Sequence, residues 1–156
     1  MAEICTKVVP AQTVMSLPFT GAYEQTGERL DELMAWLLRA GHPHSGCPFC
    51  IYHDDPSKVA VEGLRAEVCL PIEEQCEGDY RVSRKSIAGG EFACTVHEGR
   101  YGELAKAYQE IFAWMAEHGY SHVEGAGTRE VFLRLVGEAD SDDLPITEVQ
   151  VPIQKA

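Results

Sequence analysis

The sequence predicts an α+β protein made by tandem duplication, with one antiparallel sheet that carries two helices on one face. The first observation is a repeat at a shift of 78 residues, which aligns Gly21 with Gly99, Trp36 with Trp114 and Gly41 with Gly119. The second is a strand-like block that recurs at a shift of 81, Glu67 to Ile72 and Glu148 to Ile153. We therefore expect two strand–helix–strand–strand units about a pseudo-twofold axis, with a central ligand-binding cleft.

A β-like stretch opens each half. Val8 to Thr20 and Arg81 to Glu98 contain runs of alternating or continuous apolar residues, which is the pattern of half-buried or buried strands. Gly89 and Gly90 predict a turn within the second stretch.

One amphipathic helix follows in each half. The apolar residues recur at the i, i+3, i+4 and i+7 spacing of a stripe that packs on a sheet. They are Leu30, Leu33, Met34 and Leu37 in the first helix and Leu104, Tyr108, Ile111, Phe112 and Met115 in the second. Gly41 and Gly119 predict the C-terminal ends of these helices, because glycine adopts the left-handed conformation there without strain.

Two strands complete each half. They are predicted at Phe49–His53 and Leu64–Ile72, and again at Glu130–Val136 and Ile146–Pro152, where an acidic turn from Glu138 to Asp143 joins the second pair. The polar segment Glu73 to Gly78 predicts a linker that is too short to separate independent domains. We therefore expect a single domain over residues 1–156, with one repeat at about 4–73 and the other at about 79–154.

Composition narrows the class of protein. The 156 residues are 45% hydrophobic and 24% charged, as is usual for one soluble domain. No apolar run is long enough for a membrane span, no secretory signal is evident, and we expect a cytoplasmic protein with reduced cysteines. A formal net charge of −12 argues against direct nucleic-acid binding, because phosphates would repel it. The charge suits a cationic ligand or a basic protein surface, and the alternative is that it serves solubility alone.

The ordered motifs resemble a known family. The chain contains Pro48-Phe-Cys-Ile-Tyr-His-Asp-Asp-Pro56, then a Leu-Arg-Ala-Glu-Val-Cys-Leu-Pro strand, and its last predicted strand contains Thr-Glu-Val-Gln-Val-Pro-Ile. Over about Ile4 to Gln154 it is similar to the gyrase-inhibitor-like (GyrI-like) small-molecule-binding domain, which is also the effector-binding part of AraC-type and MerR-type multidrug regulators. The resemblance implies a stand-alone version of that domain that binds small molecules and needs no cofactor.

The candidate ligand-binding carboxylates are Glu148 and its repeat mate Glu67. Glu148 matches the family's binding-pocket glutamate near the C-terminus, and a carboxylate among apolar groups is costly to bury unless it meets a cation. The resemblance assigns no strong role to Glu67, for which a solvent-facing position or an ion pair with Arg65 or Arg134 is an equal alternative.

Four aromatic residues are the other candidate ligand contacts. Tyr52 and Phe132 lie on corresponding predicted strands, and Trp36 and Trp114 lie beside the apolar stripes of the helices, which places them at the rim of the expected cleft. Core packing is the alternative for each. Tyr23 and Tyr101 are expected to close the starts of the helices.

Cys47 and Cys50 form a Cys-x-x-Cys pair with histidines nearby, which suits a zinc or a redox site. No second cysteine pair at matching spacing accompanies them, so we assign no metal site.

Three functions follow from these residues. The first is binding of hydrophobic, cationic small molecules, with Glu148 as the counter-charge. The second is hydrolysis of strained electrophilic toxins, in which Glu148 would serve as the catalytic acid or base; some relatives place a tyrosine where this chain has Phe132, and its loss counts against this reading. The third is contact with a protein partner, either DNA gyrase or a DNA-binding regulator.

Overall fold

The computed structural model describes residues 3–135 and 144–156, which fall into two compact units. The terminal unit joins Met1–Val9 to Gly90–Ala156, and the central unit is Pro10–Gly89. Each contains antiparallel strands and one α-helix, which confirms the α+β class. In chain order the elements are β1 (Ile4–Val9), β2 (Gln12–Thr20), α1 (Thr26–Ala40), β3 (Phe49–Tyr52), β4 (Arg65–Pro71), β5 (Ser83–Ile87), β6 (Gly90–Glu98), α2 (Leu104–Glu117), β7 (Tyr120–His122), β8 (Thr128–Arg134) and β9 (Ile146–Lys155).

Strand order within each unit follows one plan. The strand order is β3-β4-β2-β5 in the central unit and β1-β6-β9-β8 in the terminal unit. The short strand β7 pairs with the C-terminal end of β9. Thus β1 pairs with β6 rather than with β2, its neighbour in the chain, and β5 pairs with β2. Residues 4–9, which the sequence groups with the first repeat, therefore belong to the terminal unit.

Each of the two opening β stretches is divided into two strands, the first contrary to expectation and the second at the predicted glycine turn. Val8 to Thr20 breaks between Val9 and Gln12, where Pro10 lacks the N–H that a central ladder would need. Arg81 to Glu98 breaks at Ala88 and Gly89, next to the predicted glycine turn. The short strand β7 was not predicted. Val136 and the acidic turn from Glu138 to Asp143 lie outside the described residues.

Both predicted helices are present. Gly41 and Gly119 follow them with φ of +82° and +76°, as the glycine signals require. The buried stripe of α1 includes Leu30, Leu33 and Leu37. The buried stripe of α2 is Leu104, Ala107, Ile111 and Met115, whereas Phe112 of the expected stripe is half-exposed because it lies about 100° around the helix from Ile111.

The helix of each unit defines two faces of its strands. Val149, Val151 and Ile153 of β9 pack against α2 on what we call the helix face. Side chains alternate along a strand, so Glu148 and Gln150 lie on the opposite, or far, face. In the central unit Tyr52 contacts Thr26 at the start of α1 and pairs with Ala66, which places Ala66 on the helix face and Glu67 on the far face.

No helix in residues 3–135 or 144–156 has the length and apolar content needed to cross a membrane.

Candidate functional site: two buried carboxylates on equivalent strands

Glu148 is buried on the far face of β9. It is 7% exposed. Glutamate is rarely buried without a partner, so its contacts are decisive for the site. The run Ile146-Thr-Glu-Val-Gln-Val is rich in β-branched residues and forms a strand between β6 and β8. Val149 and Val151 fix the strand against α2, and that packing directs the carboxylate to the other side.

The Glu148 carboxylate has a cationic and a neutral donor. Lys7 Nζ on β1 donates to Oε2 at 2.5 Å, and Gln150 Nε2 donates to Oε1 at 2.7 Å. The hydrogen bond and the negative charge of Glu148 together raise the pKa of the Lys7 ammonium. Lys7 itself belongs to an exposed strand, and its side chain is 46% exposed. The buried charge of Glu148 is thus balanced by the ammonium of a half-exposed side chain.

Further groups share this face by strand register. Glu148 pairs with Val131 of β8 on one side and with Val96 of β6 on the other. Val96 is 45% exposed. Burial, together with the charge of Glu148, raises the pKa of the Cys94 thiol to about 12, so that thiol is protonated at neutral pH. The guanidinium carbon of Arg129 lies 4.6 Å from the centre of the Phe92 ring, a cation–π distance.

Glu67 is the corresponding buried carboxylate of the central unit, and it has more partners. It is 6% exposed. Ser16 Oγ donates to Oε1 at 2.9 Å, and His53 Nε2 lies 2.9 Å from Oε2. Lys85 Nζ on β5 lies 2.9 Å from Oε1 and 3.3 Å from Oε2. Both carboxylate oxygens therefore have donors, two of which can be charged.

These partners decide the protonation of Glu67. Burial raises the pKa of this carboxyl, but hydrogen bonds from His53, Lys85 and Ser16 outweigh burial and lower the pKa to about 2. Glu67 does not contact Arg65, which binds Asp54 instead, so the expected alternative of an Arg65–Glu67 pair is wrong. Arg134, the other expected alternative, pairs with Glu98.

The two clusters are related by the internal repeat. Lys7 and Lys85 are 78 residues apart, and so are Ser16 and Cys94; Cys69 and Gln150 are 81 residues apart, as are the two glutamates. Sequence reasoning missed both lysines and Gln150. The repeated lysine was the available signal, because the same shift that aligns the tryptophans also aligns Lys7 with Lys85.

Tyr52 and Phe132 lie on the helix faces, away from the carboxylates. The Tyr52 ring packs 4.7 Å from the Tyr23 ring, and its hydroxyl lies 3.0 Å from Thr26 Oγ1. Phe132 is buried, pairs with Thr147 and meets the Tyr101 ring edge-on at 6.1 Å. The register thus separates Phe132 from Glu148, although the two residues were expected to line one site.

The tryptophans belong to the helices. Trp36 Nε1 donates to Asp79 Oδ2 at 2.8 Å. The Trp114 ring stacks on His118 at 4.2 Å and on Tyr120 at 5.7 Å, and it packs against the core beneath α2. Neither indole lies on the far face of its own unit.

The Cys47–Cys50 segment divides between surface and core. Cys47 is exposed, whereas Cys50 is buried in β3. Within residues 3–135 and 144–156 no three His, Cys, Asp or Glu side chains are grouped so that they could hold a metal ion.

Comparison with known proteins gives a family and a fold. The model of the GyrI-like small molecule binding domain matches residues 3–154. DNA gyrase inhibitor 2 of Dickeya dadantii (strain 3937) is 32% identical over 122 residues, which cover 76% of this chain and 77% of that protein. The crystal structure of the EcmrR C-terminal domain has a TM-score of 0.86 at 19% identity, covering 100% of this chain and 99% of that one. SAV2435 bound to tetraphenylphosphonium has a TM-score of 0.61 at 10% identity, covering 97% and 94%.

Proposed function

Since this chain belongs to the GyrI-like family of small-molecule-binding domains, we propose that it binds hydrophobic organic cations at the far face of the terminal unit. The single observation that carries the proposal is the buried carboxylate of Glu148. A negative charge that is 7% exposed is costly to desolvate, and it gains most from a cation that can replace water around it.

The surroundings of Glu148 suit the hydrophobic part of such a ligand. Val96 and Val131 are its register partners, and Val96 is exposed on the same face. Apolar contact area adds about 25 cal/mol for each Å² removed from water, so a bulky organic cation gains affinity that a small inorganic cation cannot. The face thus offers charge and apolar area together.

Glu67 serves the fold in this proposal rather than the ligand. Its two oxygens are already bonded to Ser16, His53 and Lys85. A ligand cation would have to displace several partners at once, which costs more than it returns. Tyr52, Phe132, Trp36 and Trp114 likewise stabilise the helix faces.

Calorimetric titration with tetraphenylphosphonium tests the proposal. Tetraphenylborate is a matched control ligand, since it has the same four phenyl groups and the opposite charge. We expect the phosphonium to bind the wild-type protein more tightly than the borate, and Glu148→Gln to weaken phosphonium binding about tenfold or more. Equal phosphonium affinity for wild type and Glu148→Gln would refute the role of Glu148.

A second function is suggested by the name of the Dickeya dadantii relative. Its 32% identity over most of both chains makes inhibition of DNA gyrase a reasonable activity to assay. The acidic net charge of −12 suits approach to a basic protein surface. Loss of gyrase supercoiling activity upon addition of the purified protein would support it; full supercoiling at a stoichiometric excess would exclude it.

A further inference from the structure

Lys7 occupies the position that a ligand cation would need. Its Nζ lies 2.5 Å from Glu148 Oε2, whereas Gln150 Nε2 donates to the other carboxylate oxygen, Oε1. A tetraphenylphosphonium ion and the Lys7 ammonium carry like charges, so each disfavours the other beside Oε2. Any cation that binds Glu148 therefore competes with a cation that belongs to the protein.

The placement of Lys7 makes it able to leave. It extends from the edge strand β1, whose residues are mostly exposed, and its side chain is 46% exposed. The four-carbon stem of lysine is flexible, and its ammonium is well hydrated in solvent. Release costs one ion pair but restores hydration and rotamer freedom to the lysine.

We propose that Lys7 is a tethered, displaceable counter-ion of Glu148, which turns out to solvent when a cationic ligand binds and so sets the affinity and the charge specificity of the site. This inference rests on the proposed function. The lysine keeps the buried carboxylate neutralised while the site is empty, and it ensures that weakly bound or small cations do not replace it.

Lys85 provides the internal control. It is the repeat mate of Lys7, lies on the equivalent edge strand β5, and has a side chain that is 42% exposed. However, its partner Glu67 also contacts Ser16 and His53, so both carboxylate oxygens keep a partner when Lys85 is lost. Neutralising one lysine or the other changes the net charge of the protein equally, but only Lys7 competes at Glu148.

Tetraphenylphosphonium titration of the Lys7→Met and Lys85→Met variants tests this. We expect Lys7→Met to bind the phosphonium about tenfold more tightly than wild type, and Lys85→Met to stay within about twofold. Lys7→Gln serves as a second variant if Lys7→Met folds poorly, and circular dichroism checks each fold. In the Glu148→Gln background, Lys7→Met should give no gain, because the competition has been removed.

The outcomes separate the two proposals. If Glu148→Gln weakens binding but Lys7→Met does not tighten it, the displacement is refuted and the proposed function stands. If Lys7→Met tightens binding equally with and without Glu148, the lysine acts by general repulsion and the displacement is again refuted. If Glu148→Gln has no effect, the proposed function fails and this inference fails with it.

Lysine labelling gives a direct readout on the wild-type protein. Acetylation followed by mass spectrometry should show Lys7 becoming more reactive when the phosphonium is added, whereas Lys85 should not change. Unchanged labelling of Lys7 at saturating phosphonium would overturn the displacement.

Discussion

The two units place a glutamate at the same position of the same strand, yet surround it differently. The Glu67 carboxylate contacts the Ser16 hydroxyl, the His53 imidazole and the Lys85 ammonium. These contacts lower the pKa of its carboxyl to about 2. Glu148 accepts hydrogen bonds from the Lys7 ammonium and the Gln150 amide. The comparison teaches that a duplicated scaffold can keep its carboxylate and change its neighbours. On our account the first glutamate then stabilises its unit, and the second remains exchangeable.

The largest expected effect is on stability. Glu67→Gln should lower the free energy of unfolding by about 3 kcal/mol, because it leaves Lys85 and His53 beside a buried neutral group. Glu148→Gln should cost less, about 1 kcal/mol, because it removes one part-buried ion pair, with Lys7, whereas Glu67 has contacts with Ser16, His53 and Lys85. Urea denaturation measures both values. Equal losses would mean that the two carboxylates contribute alike, contrary to our comparison.

Acidification should lower the free energy of unfolding by an amount similar to that caused by Glu67→Gln. The pKa of Glu67 is about 2 in the folded protein and 4.5 in the reference state, so the unfolded chain takes up the proton first. The contribution of Glu67 is present above pH 4.5 and is lost as the pH falls toward 2, by up to about 3 kcal/mol. The Glu67→Gln variant should not lose this contribution to the free energy of unfolding between pH 4.5 and pH 2. Urea denaturation midpoints of both proteins, measured across that pH range, test this. Parallel curves for the two proteins would contradict it.

A smaller effect is expected from the hydroxyl of Ser16. Ser16→Ala removes a buried hydrogen bond to Glu67 Oε1 and should cost about 1 kcal/mol. The same change made in Glu67→Gln should cost less, because the residues are coupled through that bond. A double-mutant cycle of unfolding free energies measures the coupling. Additive losses would show that the serine contributes independently of the carboxylate.

The smallest effect concerns the tryptophans. Trp114 packs against the helix-face core of the terminal unit, opposite the face that carries Glu148, and Trp36 on α1 of the central unit binds Asp79. Trp36→Phe and Trp114→Phe should each leave the affinity for tetraphenylphosphonium within about twofold of wild type, because the proposed site is formed by far-face side chains of the terminal unit. A tenfold loss of affinity in either variant, measured by calorimetry, would show that the indole contributes to the binding site.

The helices and most strands could be predicted because their signals are local. The apolar spacing from Leu30 to Leu37 and the glycines at 41 and 119 depend only on residues close in sequence, and the structure bears them out. The block around Glu148 was strand-like for the same reason.

The composition of the site could not be predicted because it depends on register and pairing. Phe132 faces away from Glu148 since Val131, not Phe132, pairs with it, and a shift of one residue would have reversed this. Likewise, Lys7 reaches Glu148 only because β1 pairs with β6 rather than with its neighbour in the chain. Neither choice of partner is visible in the periodicity of one strand.

A crystal structure of the complex with tetraphenylphosphonium would test the central claim most directly. We predict that the phosphonium lies against the Glu148 carboxylate and that the Lys7 ammonium has turned to solvent, while Glu67 keeps Ser16, His53 and Lys85. A phosphonium bound beside the tryptophans, with the Lys7–Glu148 ion pair intact, would contradict the account.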